Sequence, residues 1–166
     1  MLDEEKSRQI ELACTNRACM MLVCINGHKD NLPYGRIVNY QLSKSVGFIG
    51  LDQLLLGLDE VCERLGAPMA TTDPRFLQKE RERQYKELRE KPRENQDRIK
   101  IVKAMFPYMA DAKKVIMVHV MFRQHSSMQG RLQCSYTGEH SVSFRSALEL
   151  LRMLDEINTY MCQNLV

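Results

Sequence analysis

The chain has 166 residues, 44% of them hydrophobic and 27% charged, with a formal net charge of +3. That length buries a sizeable core in one domain or two small modules, and the composition is that of an ordinary soluble globular protein. No apolar run approaches the roughly 18 residues of a membrane span, and the opening Met1-Leu2-Asp3-Glu4-Glu5-Lys6 lacks the basic and apolar regions of a secretion signal, so the expected location is cytoplasmic, away from membranes.

Charge is segregated along the chain. Residues 1–74 carry 7 basic and 10 acidic side chains, 75–114 carry 13 and 7, and 115–166 carry 4 and 4. This divides the chain into an N-terminal module (1–74), a charged helical connector (75–114) and a C-terminal module (115–166). Cys14, Cys19, Cys24, Cys62, Cys134 and Cys162 are expected to remain thiols, several of them on apolar faces.

From the N-terminus, Asp3 to about Arg17 is ambiguous, although Ile10, Ala13 and Cys14 share one helical face. The apolar run Met20 to Ile25 has strand length and ends at Asn26-Gly27, a turn signal. Tyr34 to Tyr40 reads as a partly alternating strand and Ser45 to Phe48 as a third. A helix follows, with Gly50 and Gln53 at its cap positions and a stripe of Leu51, Leu54, Leu55, Leu58, Val61, Cys62 and Leu65, stopped by Gly66 and Pro68. The connector holds a solvated helix over Phe76 to Glu90, broken at Lys91-Pro92. A second stretch from Glu94 to Lys113 is anchored by Ile99, Val102, Met105, Phe106 and Met109, with Pro107 expected to kink or end it.

The C-terminal module repeats the pattern: strands over Val115 to Gln124, Met128 to Tyr136 and His140 to Phe144, with turns at His125-Ser126-Ser127 and Thr137-Gly138-Glu139. Ser146 and Glu149 fit a capping box opening a helix whose apolar face is Leu150, Leu151, Leu154, Ile157 and Met161. Between windows 45–61 and 141–157, eight of seventeen positions are identical, where unrelated segments share about one. Gly35-Arg36-Ile37 meets Gly130-Arg131-Leu132 one residue out of step, at an offset of 95. The expected fold is therefore α+β: two repeated βββα modules, each an antiparallel meander followed by a helix, packed with approximate twofold symmetry or paired between chains as a homodimer.

The block Phe122-Arg123-Gln124-His125-Ser126-Ser127-Met128-Gln129-Gly130, with Phe144-Arg145-Ser146-Ala147-Leu148-Glu149-Leu150-Leu151, resembles a signature in small uncharacterised proteins carried by bacterial mobile elements. It covers about the last 50 residues and departs from that group at Met128 and Cys134, where aromatic residues are expected. The resemblance implies no activity. By context alone, many mobile-element proteins of this size act by binding, including inhibitors of host nucleases such as anti-CRISPR proteins.

Chemistry-bearing patterns are sparse. The repeated Asp59-Glu60 and Asp155-Glu156 lie one position past a core leucine, toward solvent, which favours descent or a local salt bridge over acid–base work. Cys14, Cys19, Cys24 and His28 lack the close knuckle spacing of zinc sites, and no metal or cofactor is expected. His125 beside two serines lacks a nucleophile elbow and reads as a turn.

Arg36 and Arg131, with Arg123, Gln129 and Arg145, could present guanidinium groups to phosphate or an acidic protein surface, or pack their stems across the sheet and pair with local carboxylates. The connector adds Lys79, Arg81, Arg83, Lys86 and further cations, interleaved with Glu80, Glu82 and Glu87. The leading expectation is a non-catalytic macromolecule-binding protein that contacts a protein or ribonucleoprotein through Arg36, Arg131, Arg123, Gln129, Arg145, Arg81, Arg83 and Lys86. A nucleic-acid binder reading phosphates through the connector and a metal-dependent hydrolase are the alternatives.

Overall fold

The computed structural model describes residues 19–89, 98–138 and 140–164, with side chains described outside 98–102. The N-terminal stretch assigned above, with Ile10, Ala13 and Cys14, lies outside the described residues, as does Glu139.

Among the described residues the fold is α+β, built on one six-stranded antiparallel sheet with four helices. In chain order come β1 (Met20–Lys29), β2 (Leu32–Val38), β3 (Val46–Ile49), α1 (Leu51–Leu65), α2 (Lys79–Lys86), α3 (Arg98–Ala110), β4 (Lys114–Phe122), β5 (Gln129–Gln133), β6 (Val142–Phe144) and α4 (Ala147–Gln163), with a short 3₁₀ turn at Ser135–Thr137. Across the sheet the order is β3-β2-β1-β4-β5-β6. The meanders are therefore not two sheets packed face to face. β1 and β4 pair directly, Met20 opposite His119 through Ile25 opposite Lys114, and fuse both meanders into one surface. Both runs lie mid-sheet with helices covering both faces, which is why both are nearly continuous apolar segments.

Alternation along these strands builds two cores. Met21, Val23, Ile25, Ile37, Phe48, Ile116, Val118, Leu132 and Phe144 face α1 and α4, which bury Leu54, Leu58, Val61, Leu150, Leu154, Ile157 and Met161 against them. On the opposite side Met20, Leu22, Cys24, Val38, Val115 and Met117 pack against Met105 and Met109 of α3. Each fully buried leucine of the larger core contributes about 2 kcal/mol by area.

Several local expectations shift. Asn26-Gly27 is not a turn: β1 runs on to Lys29, the register slips between Ile25 and Gly27, and the reversal falls at Asp30 and Asn31, with φ of 52° and 63°. Asp and Asn tolerate this left-handed region, so the hairpin closes without glycine. The second hairpin turns where expected, with His125 and Ser126 at φ of 55° and 54°. β5 stops at Gln133, and Thr137 Oγ1 bonds the Cys134 backbone, drawing the chain into the 3₁₀ turn. Pro107 does not end α3, which continues to Ala110.

The cap of α4 differs in one bond from the expected box. Ser146 Oγ accepts from the Glu149 amide at 3.2 Å, but the Glu149 carboxylate reaches past the cap to accept from Arg145 N at 2.7 Å. At α1, Gly50 offers no side-chain cap and Gln53 Oε1 accepts from Ile49 N at 3.0 Å. In both cases the side chain satisfies an amide where an edge strand ends.

Candidate functional site

Two concavities flank the sheet on opposite sides. The first lies on the α1/α4 side. Arg123, one residue past β4, carries its side chain toward α1 and is only 5% exposed. Its Nη2 donates to Asp59 Oδ1 at 2.9 Å and to Tyr85 Oη at 2.7 Å, while Nη1 donates to Glu63 Oε2 at 3.1 Å and to the Pro68 carbonyl at 3.3 Å. Tyr85, from α2, donates its hydroxyl to Asp59 Oδ2 at 2.5 Å and rests its ring 5.2 Å from that of Phe76. Burial works against the Arg123 charge, but Asp59 and its neighbours outweigh it and hold the guanidinium well above its ordinary value. Burial, then the hydrogen bond to Asp59, raises the Tyr85 phenol, which stays a protonated donor. Around this cluster Leu55, Leu56, Ala70, Pro74, Met128 and Ala147 wall a groove of about 540 Å³, with Thr72, Asp73, Arg75, Ser126 and Ser127 at its margin.

The second concavity, about 820 Å³, lies on the α3 side, between β2–β3 and the C-terminal end of α3. Arg36 sits in it with Tyr34, Ile49, Gln53, Asn26, Pro107, Tyr108 and Asp111. Arg36 Nη1 donates to Ser45 Oγ at 2.9 Å. Gly47 directly opposite leaves the strand floor open beside it.

The residues proposed for binding divide sharply. Arg36 stands opposite Cys24, and Arg131 stands opposite His119, two residues from Met117, so both lie on the α3 side of the sheet. Both are exposed, and neither forms an ion pair among the described residues. Strand spacing and rise place their Cα atoms about 20 Å apart.

The others, Arg81 excepted, make polar contacts within the chain. Arg123 is a buried structural cation on the opposite side rather than a surface contact. Gln129 clips the β4–β5 turn through the Gln124 amide and carbonyl, both at 3.0 Å. Arg145 pairs with Glu149 at 2.6 Å. In α2, Arg83 pairs with Glu80 and Lys86 with Glu82, while Arg81 forms no ion pair among the described residues.

Asp59, expected toward solvent, is instead drawn onto Arg123. The i, i+4 spacing of Asp59 and Glu63 on one helix was the available signal, but nothing local linked it to an arginine 60 residues on. Cys19 and Cys24 face opposite cores and cannot share an ion, while Cys14 lies outside the described residues. Cys62 is raised well above an ordinary thiol by the adjacent Cys19 and by burial. Among the described residues no group of three His, Cys, Asp or Glu side chains is placed to hold a metal, and no helix is long and apolar enough to cross a membrane. Comparison with protein-family models, curated proteins and solved structures yields no match.

Proposed function

We propose that the chain is a non-catalytic macromolecule-binding protein built from two βββα units, and that it engages an acidic protein or ribonucleoprotein through Arg36 and Arg131. The observation that carries this reading is that two exposed arginines lie on one sheet face without a carboxylate partner among the described residues.

Their equivalence is supported by offsets through the whole sheet. The hairpin residues with positive φ, Asp30-Asn31 and His125-Ser126, are 95 apart, as are the register slips at Ile25/Gly27 and Val120/Phe122. Gly35 and Gly130, also 95 apart, each lie so close to a neighbouring strand that a Cβ would overlap the carbonyl oxygen of Cys24 or His119. The amide of Ile49 taken by Gln53 corresponds, at 96, to that of Arg145 taken by Glu149. Leu22 is paired with Met117, its own counterpart at an offset of 95, so the axis relating the halves passes between β1 and β4. It relates Arg36 to Arg131 as one two-point contact.

Inhibition of a host defence nuclease is the specific form that the mobile-element resemblance favours. A nucleic-acid contact through the connector is weakened by the ion pairs that engage Arg83 and Lys86 within α2. A hydrolase would need carboxylates converging on open space, whereas Asp59 and Glu63 converge on Arg123.

The test is a salt titration of the captured partner with wild-type protein and the Arg36→Glu/Arg131→Glu variant. A protein contact of two arginines loses affinity moderately with salt. Phosphate-dominated binding falls by orders of magnitude between about 50 and 200 mM salt, and that result would transfer the reading to nucleic acid.

A further inference from the structure

We infer that the groove between α1, the 70–75 segment and the β4–β5 turn is a receptor pocket for a lysine or arginine side chain presented by a polypeptide partner. This does not depend on the arginine face described above, which lies on the other side of the sheet.

Donors and acceptors at the groove floor are unequally engaged. The terminal nitrogens of a guanidinium carry four N–H bonds. In Arg123 all four are spent, on Asp59, Glu63, Tyr85 and the Pro68 carbonyl. The Tyr85 hydroxyl proton is spent on Asp59. An anion entering the groove therefore finds these donors already engaged.

Asp59 is in the opposite state. Its two oxygens accept one bond each, from Arg123 and Tyr85, which leaves two acceptor positions, and its side chain remains 30% exposed beside the groove. The charges point the same way. In the lining Asp59 and Asp73 balance Arg123 and Arg75, and Glu63, paired with Arg123 outside the lining, brings the whole cluster to one net negative charge.

The walls complete the specificity. Leu55, Leu56, Met128, Ala147, Ala70 and Pro74 offer apolar surface leading to that carboxylate, and Leu56 is 72% exposed, far beyond what a core leucine shows. Lysine and arginine carry an apolar stem ending in a multidentate cationic donor, which matches an apolar channel over an acceptor. The volume of about 540 Å³ accommodates the side chain with its flanking backbone.

The experiment titrates the full chain with an acetylated, amidated pentapeptide bearing a central arginine between leucines, and with the same peptide carrying neutral citrulline, followed by amide NMR. The expected result is a set of shifts centred on Leu55, Leu56, Met128 and Ala147, with citrulline binding about tenfold more weakly. Leu56→Arg, at an exposed position that leaves the core intact, should abolish binding by placing a guanidinium in the groove. Leu32→Arg, the same substitution at an exposed position outside the groove, should leave it unchanged. Equal binding of the citrulline peptide, shifts centred elsewhere, undiminished binding by Leu56→Arg, or no shifts at millimolar peptide would each overturn the assignment.

Discussion

Replacing Arg123 with methionine retains much of the apolar stem and removes the guanidinium that pairs with both Asp59 and Glu63. Asp59 and Glu63, 30% and 17% exposed at their side chains, would then face each other with Tyr85 as the remaining donor. Breaking a fully buried pair by removing one partner costs about 3–5 kcal/mol. Residual solvent contact at both carboxylates places this case near the lower end, at about 3 kcal/mol. For a chain of this length each kcal/mol moves the melting temperature by about 2–4 °C, so Arg123→Met should lower Tm by about 6–12 °C in calorimetry. The companion variant Arg123→Met/Asp59→Asn/Glu63→Gln removes the stranded charges and should regain more than half of that loss. A drop below about 2 °C for the single variant, or a triple variant no better than the single, would refute the claim that Arg123 acts by charge compensation.

Other outcomes follow from local geometry. Gly130→Ala drives a Cβ into the His119 carbonyl and should cost well over 1 kcal/mol, whereas Gly47→Ala, whose Cβ meets nothing nearer than 4.0 Å, should stay within about 0.5 kcal/mol; chemical denaturation measures both. Leu58→Ala, in the core under α1, should cost about 2–5 kcal/mol by the same measurement, against a near-neutral Leu56→Ala. The Arg145 side chain, then its backbone amide, lower the Glu149 carboxyl below its ordinary value of 4.5. Its stabilising contribution is therefore complete above that pH and is lost as pH falls through the lower folded value. The Tm difference between wild type and Glu149→Gln should accordingly narrow below pH 4.5 and stay constant above it; a gap that widens on acidification would contradict this sign.

Much of the fold is legible in the residues. Leu54, Leu58 and Val61, echoed by Leu150, Leu154 and Ile157, announce two amphipathic helices, and Ser146 with Glu149 marks where the second begins. The fusion of the meanders is harder to read because a continuous run such as Met20 to Ile25 suits any strand buried on both faces and does not specify its neighbour. Asn26-Gly27 misleads for a related reason: Gly27 supplies room beneath the Tyr34 ring at a bulge, while Asp30-Asn31 closes the hairpin.

The site was less legible. Arg36 and Arg131 are flagged by repetition, yet Arg123 looks equivalent to them in sequence and lies on the other side of the sheet. Parity along the strand does not govern it, because it sits past the end of β4 after a register slip, and its partners come from α1 and α2, about 40–65 residues away. Arg83 and Lys86 pair with glutamates three and four residues earlier, a spacing that helical geometry makes readable in advance.

Whether Arg36 and Arg131 form one contact for an acidic partner is decided by quantitative affinity capture from the native host with three baits. These are the wild-type chain, Arg36→Glu/Arg131→Glu, and Arg81→Glu/Arg83→Glu/Lys86→Glu. An acidic protein or ribonucleoprotein should be enriched on wild type, retained by the connector variant and lost with the sheet variant. Loss from the connector variant with full retention by Arg36→Glu/Arg131→Glu would contradict that contact.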